Sequence, residues 1–306
     1  MPVSHHIGLE IAERCFRLVE LQQQDRHTAV LRAEVHASTH DYASQLLFDL
    51  PWQRELAATF IRDLASVLTA QPLSADTVSL VLPASLPLVT TVAIDADSPA
   101  TMQRALMEWE CQALAAPVGN DALVTLTHPL APDNRHARSL VVALPNAVIE
   151  FLGSTFEHLT LNLTNLDVNH FVVENGVRKL YPHDSGDCFA VLGIHSGHVS
   201  AGVYRGGTYQ GFRISELSWK QQYAAQACTV LERVAGEWLA ELKHVYCFGE
   251  HCGNAVVEGL ERLLPARVTR FIPLVGDSIS YGPYDAHTAD SDVLLCSAAA
   301  AVLGLP

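Results

Sequence analysis

The chain has 306 residues, 49% of them hydrophobic and 17% charged, which excludes a disordered protein and gives enough length for two cored domains. Thirty-three acidic against 19 basic side chains leave a formal net charge of −14 with no local run of Lys or Arg, so a nucleic-acid partner is not expected and direct contact with anionic lipid is disfavoured. Seven cysteines without a CxxC, and a start (Met1–His6) lacking a basic then apolar segment, fit reduced thiols in a cytoplasmic protein; the longest apolar run, Val293–Leu305, is shorter than the about 20 residues that span a bilayer.

The first predicted element is a hairpin in which Ile7–Ala12 reaches a turn and Cys15–Leu21 returns, followed by a strand over Ala29–Val35. Pro51 and its polar neighbours open a helix over 53–69, where Leu56, Phe60, Leu64 and Val67 recur at helical spacing. Thr77–Leu82 reads as a strand ended by Pro83. Composition then shifts. Leu88–Ile94 is β-branched and strand-like, and Ser98 and Pro99 start a helix that runs to about Ala115 and is stopped by Pro117. Met102, Leu106, Trp109 and Ala113 are expected to form its core side, with a partner groove beside it as the functional alternative. Strands at Ala122–Leu126 and Ser139–Leu144, joined by a polar loop (Pro132–Arg138), and a helix at Ala147–Leu159 complete a β-α-β-β-α block.

Asn165–Asn175 is expected to be a helix with Val168, Phe171 and Val172 on its apolar side, and Tyr181–Asp187 a turn-rich linker. A second hairpin follows: Ala190–Ile194, a turn around His195–Gly197, and Val199–Tyr204. Past Gly206-Gly207, Tyr209–Ile214 is a third strand, and a long helix over Trp219–Leu242 carries Tyr223, Val230, Val234 and Trp238 on one face. Strand Val245–Phe248, a loop at Gly249, helix Ala255–Leu264, a short strand near Val268–Ile272 and an Ala-rich helix from Asp292 close the chain. Two β-β-β-α-β halves around an inserted block predict a duplicated α/β architecture.

The paired hairpins resemble the phosphate hairpins of the actin-like ATPases. Ile7-Gly8-Leu9-Glu10-Ile11 with Phe16–Leu21 is similar to the opening of the PilM family, the cytoplasmic actin-like components of type IV pilus assembly. Ala105–Gln112 with its Trp109-Glu110 pair, Leu140–Pro145, Leu166-Asp167-Val168 and Val245–Leu260 follow in that family's order over nearly the whole chain. The resemblance implies a two-lobed actin-like (ribonuclease H-like) fold with an inserted α+β subdomain, as in PilM and FtsA, and more distantly the cytoplasmic part of GspL. Residues 1–81 and 163–186 would form lobe I, 82–162 the inserted, 1C-like subdomain and 187–306 lobe II. It also implies a partner, the cytoplasmic tail of a PilN-like inner-membrane protein docking near the insertion, together with other pilus or secretion components. The location it implies is the cytoplasm, at the inner face of the bacterial inner membrane, with membrane contact made through that partner.

Members of this family bind ATP between the lobes. That chemistry needs carboxylates to hold Mg²⁺ through water and glycines that let backbone N–H groups approach phosphate. Here the expected Asp is Glu10 and the expected Gly is Ala12, which resists positive φ; in the second hairpin Gly193 stands for Asp and His195 for Gly. The third loop keeps only Gly249, and Glu250 after it would repel a nucleotide unless a metal intervened. The expectation is a degenerate nucleotide cleft at Glu10, Arg14, Ser196, Gly197 and Gly249 with no catalytic residue, in a non-catalytic scaffold. The alternative is an ATP-binding actin-like ATPase or kinase-like enzyme in which Glu10 holds Mg-ATP.

Three further signals have competing readings. His244, Cys247, His251 and Cys252 offer soft ligands for zinc, but the spacing is not standard and a buried strand Cys is the plainer account. Cys15 beside Arg14 and Arg17 is either a thiol of lowered pKa or a small strand residue. His195 and His198 are expected to be solvated turn residues rather than anion or metal ligands.

Overall fold

The computed structural model describes residues 3–24, 27–44, 46–95, 97–115, 122–132, 136–181, 186–217, 222–273, 279–281 and 296–303. Pro117, Trp219, residues 133–135 of the predicted polar loop, residues 182–185 of the predicted linker and residues 292–295 of the predicted last helix lie outside them.

Ile7, Leu9 and Ile11 alternate along β1 (Ser4–Ala12), which turns into β2 (Cys15–Gln24) with antiparallel pairing from Ser4↔Gln23 to Ala12↔Cys15. The turn places its left-handed backbone at Arg14 (φ 53°) and leaves Ala12 in the strand, so the missing glycine costs nothing there. β3 (His27–Ala37), the single turn α1 (Leu46–Asp49), α2 (Arg54–Thr69) and β4 (Thr77–Leu82) follow. The α2 periodicity is realised: Phe60, Leu64, Val67 and Leu68 are buried against β1 and β4, and Leu56 packs at the margin.

The inserted block contains β5 (Leu88–Asp95), α3 (Ala100–Ala115), β6 (Leu123–Pro129), β7 (His136–Pro145) and α4 (Asn146–His158). Three of the four residues of the predicted α3 core stripe are turned outward, and only Leu106 packs inward. Trp109 is 61% exposed, Met102 53%, and Ala113 is exposed, while Leu106, Met107 and Cys111 meet Val92, Ile94 and Val141 of the sheet. The sheet selected the face of Leu106, Met107 and Cys111, which shares only Leu106 with the predicted stripe.

Asn165–Asn175 is not one helix. Residues to Val168 form β8 (Asn162–Val168), parallel to β4 from Thr77↔Asn162 to Leu82↔Val168, and only then does α5 (Asn169–Leu180) begin. The apparent helical spacing of Val168, Phe171 and Val172 straddled a strand end. The second half holds β9 (Cys188–Ile194), β10 (His198–Arg205), β11 (Thr208–Glu216), α6 (Tyr223–Ala235), β12 (Leu242–Phe248), α7 (Asn254–Leu263) and β13 (Arg267–Arg270). The long helix predicted to reach Leu242 stops at Gly236, whose φ of 54° and ψ of −123° are backbone angles that only glycine adopts readily; a 3₁₀ turn (Gly236–Glu241) then leads into β12. A short β14 (Ile279–Tyr281), not foreseen in the sequence, and α8 (Cys296–Leu303) complete the described elements.

The strand orders are β14-β3-β2-β1-β4-β8, β11-β10-β9-β12-β13 and β5-β7-β6. Leaving β14 aside, the two large sheets repeat one plan: an antiparallel hairpin plus third strand, then two strands parallel to the first. Two segments cross the expected lobe divisions. α4 buries Val148, Leu152 and Phe156 in the same core as Phe60 and Leu64 of α2. The end of the chain returns to the first sheet, β14 pairing with β3 and α8 burying Ala298, Ala299 and Val302 against Val19, Leu21 and Val30. Gly8 permits this, because a Cβ there would overlap the Ala298 carbonyl.

Candidate functional site

Three loops face one another between the two large sheets: the β1–β2 hairpin, the β9–β10 turn, and the β12–α7 loop. They surround a cavity of about 150 Å³ lined by Glu10, Ser85, Asn169, His195, Ser196 and Glu250 among others. Of the predicted cleft residues, Glu10, Ser196 and Gly197 line it. Arg14 is exposed at its turn and is not among the lining residues; its carbonyl accepts a hydrogen bond from Ser38 N at 2.9 Å. Gly249 (φ 103°) backs onto the Ile194 carbonyl, where a Cβ would collide, so its glycine serves loop packing.

The cleft is crossed by a chain of ion pairs. Arg17, opposite Glu10 in the hairpin register, donates from Nη1 to Glu10 Oε2 at 3.1 Å and from Nη2 to Glu250 Oε1 at 2.6 Å. Glu250 Oε2 lies 2.8 Å from His195 Nδ1. Burial opposes a charge on Glu250, but His195 and Arg17 outweigh it and hold the carboxyl well below the usual range. A carboxylate only accepts, so His195 Nδ1 carries the proton, and Nε2 faces Asn169 Nδ2 at 3.5 Å. His195 and His198, expected to be solvated, are 4% and 7% exposed with rings stacked at 4.7 Å. Burial, and then the neighbouring His195, lower the His198 pKa to about 3.

The other sequence signals resolve locally. Burial pushes the Cys15 thiol up, with Arg17 opposing, so the hypothesis of a lowered pKa does not hold. Cys247 donates to Thr269 O at 3.6 Å, His251 stacks on Tyr223 at 4.3 Å, and among the described residues no three His, Cys, Asp or Glu groups converge as a metal would need.

A second polar cluster escaped the sequence reading. His170 on α5 contacts Ser200 Oγ of β10 at 2.7 Å through Nδ1 and Glu174 Oε1 at 3.1 Å through Nε2, and Tyr204 OH donates to Glu174 Oε2 at 3.3 Å. The order hydroxyl–imidazole–carboxylate imitates a nucleophile and its base, yet Ser200 and His170 are fully buried. The cluster fastens α5 to the second sheet. The His–x–x–x–Glu spacing on one helix face was the only signal, and it is common.

The larger hollow lies beside the inserted sheet. A groove of about 510 Å³ runs between β6 and β7, β8, α5 and β10, with Leu126, Leu140, Leu166 and Phe171 as apolar walls and Asp167 and Arg178 among its few polar groups. Leu126 is 67% exposed on β6, an edge strand of its sheet. Burial, with Glu174 adding and the Val168 N–H opposing, raises Asp167 to about 6.

No protein-family model and no curated protein matches the chain. Solved structures do. A PilM–PilN type IV pilus biogenesis complex aligns over 98% of this chain and 98% of that one, with 15% identity and a TM-score of 0.65. The cytoplasmic domain of EpsL, an inner-membrane component of the type II secretion system of Vibrio cholerae, aligns over 98% and 94% at 10% identity (TM-score 0.49). A Bacteroides thetaiotaomicron protein of unknown function with an actin-like ATPase fold aligns over 90% and 93% at 8% identity (TM-score 0.48). No helix among the described residues is long and apolar enough to cross a membrane. The repeated strand order of the two large sheets and the full-length likeness to the PilM–PilN structure together establish that this chain has the duplicated, two-lobed actin-like ATPase fold.

Proposed function

We propose that the chain is a PilM-like, non-catalytic scaffold at the cytoplasmic face of a type IV pilus or related secretion system, and that its groove takes the cytoplasmic tail of a PilN-like inner-membrane protein. The observation that carries this reading is the groove itself: an apolar trough of about 510 Å³ bordered by the edge strand β6. An edge strand offers unpaired backbone groups to an extended peptide, and the trough offers pockets to its alternate side chains. The likeness to the PilM–PilN structure supports it, because both chains are covered almost entirely and the inserted sheet that forms the groove lies within the aligned length. A net charge of −14 favours reaching the membrane through a protein tail over binding anionic lipid directly.

The test is calorimetric titration of the full chain with a synthetic peptide of the cytoplasmic tail of a PilN-like inner-membrane protein. Saturable binding that Leu126→Asp weakens at least about tenfold supports the reading. No binding up to about 100 micromolar, equivalent to about −5.5 kcal/mol, overturns it.

A further inference from the structure

The fold family brings Mg-ATP to the cleft, and the residues here do not fit it. The cavity of about 150 Å³ is half the lower end of the about 300–1,000 Å³ that small-molecule sites occupy. Its lining includes Glu10, Glu13, Asp41 and Glu250, a set that repels phosphate. Arg17, the buried cation beside them, is 4% exposed and already spans two of these carboxylates. Both oxygens of Glu250 are engaged, one by Arg17 and one by His195.

Those same contacts connect the lobes. Glu10 and Arg17 belong to the first sheet, while Glu250 and His195 follow strands of the second. The planar guanidinium suits this, since its two terminal nitrogens can serve two carboxylates at once. Gly249 lets the β12–α7 loop lie against the end of β9, which sets Glu250 within reach of both partners. We propose that the lobes are held together by the chain's own side chains, with Arg17 clamped between Glu10 and Glu250 as an internal tie across the cleft, and that this arrangement needs no nucleotide. The tie replaces the bridging that a bound triphosphate and its metal would supply. It is separate from peptide binding in the groove and stands or falls on its own test.

The experiment measures the distance between spin labels at exposed Glu55 on α2 and Glu261 on α7 in the full chain, with and without Mg-ATP. A single narrow distribution that Mg-ATP leaves unchanged is expected. Arg17→Met, which leaves two facing carboxylates uncompensated, broadens it and lowers Tm by about 10 °C. Glu250→Gln keeps the shape but removes a charge, broadens it less, and carries the test if Arg17→Met fails to fold. A narrow distribution only in Mg-ATP, saturable Mg-ATP binding by calorimetry, or distributions unchanged in both variants would each overturn the proposal.

Discussion

Two hollows among the described residues have opposite character. The cleft between the lobes is small, acidic and crossed by Arg17, Glu250 and His195; the groove beside the inserted sheet is more than three times larger and walled by Leu126, Leu140, Leu166 and Phe171. Both duplicated hairpins are present, and Glu250 of the β12–α7 loop meets Arg17 of the first and His195 beside the second. A scaffold is maintained by dozens of buried apolar contacts, whereas the chemistry of its cleft depends on a handful of groups, so the second can change while the first persists. The groove shows the converse. Among the described residues its apolar walls are left open, which is the kind of surface the proposed partner would use.

The largest expected effect lies on α5, which gives Asn169 to the cleft and Glu174 to the groove. Glu174 lines the groove and is the acceptor for Tyr204 and a partner of His170. Glu174→Ala leaves those buried groups unpaired and should lower the unfolding free energy by about 2–4 kcal/mol, measured in urea, with Glu174→Gln closer to the parent. A loss below about 1 kcal/mol would mean that the wall is not held by this cluster.

Next is the groove rim. Leu126→Asp should weaken the tail peptide at least about tenfold, or about 1.4 kcal/mol, while stability stays within about 0.5 kcal/mol because the side chain is 67% exposed. Undiminished binding would move the peptide out of the groove.

The hollows should also have opposite pH responses. His198 in the cleft falls from 6.5 to about 3, so below pH 6.5 the unfolded chain takes up a proton that the folded chain refuses. Its contribution is complete above that pH and is lost as pH falls towards 3. Asp167 in the groove rises from 3.8 to about 6, so the folded chain retains a proton that the unfolded one releases; this contribution is present at low pH and lost as pH rises through about 6. Urea midpoints between pH 4 and 6.5 should therefore fall less steeply with acid in His198→Phe, and more steeply in Asp167→Asn. Parallel profiles in the two variants would erase the contrast.

The smallest effect is expected on the outside of the inserted block. Trp109→Ala should change stability by less than about 0.5 kcal/mol, since that ring is 61% exposed. A loss of several kcal/mol would restore the orientation of α3 in which Trp109 faces the sheet.

Much of the lobe architecture could be read directly. Alternation at Ile7, Leu9 and Ile11 and the apolar run of 188–194 announce strands wherever they are placed, and the α2 face from Phe60 to Val67 needs only its own period. β8 was hidden because its identity comes from pairing with β4, across about 85 residues that local spacing does not sense. The end of α6 was missed because the helical row of Val230, Val234 and Trp238 runs straight through Gly236, whose positive φ appears only in the folded backbone. At the cleft, Glu10 was legible as a strand-end acid, and its cross-strand partner Arg17 follows from the hairpin register. Glu250 was read as a repulsive neighbour of a nucleotide, and folding makes it a partner of Arg17, 233 positions away in sequence.

By itself, then, the sequence determined most of the strands and helices and their duplicated order, because these depend on neighbours a few positions apart. Tertiary structure alone decided which row of α3 is buried, that β14 and α8 return to the first sheet, and that Arg17 meets an acid from the opposite lobe. The reason is physical: periodicity is encoded in one segment, whereas burial and charge compensation depend on surfaces that exist only once distant segments have met.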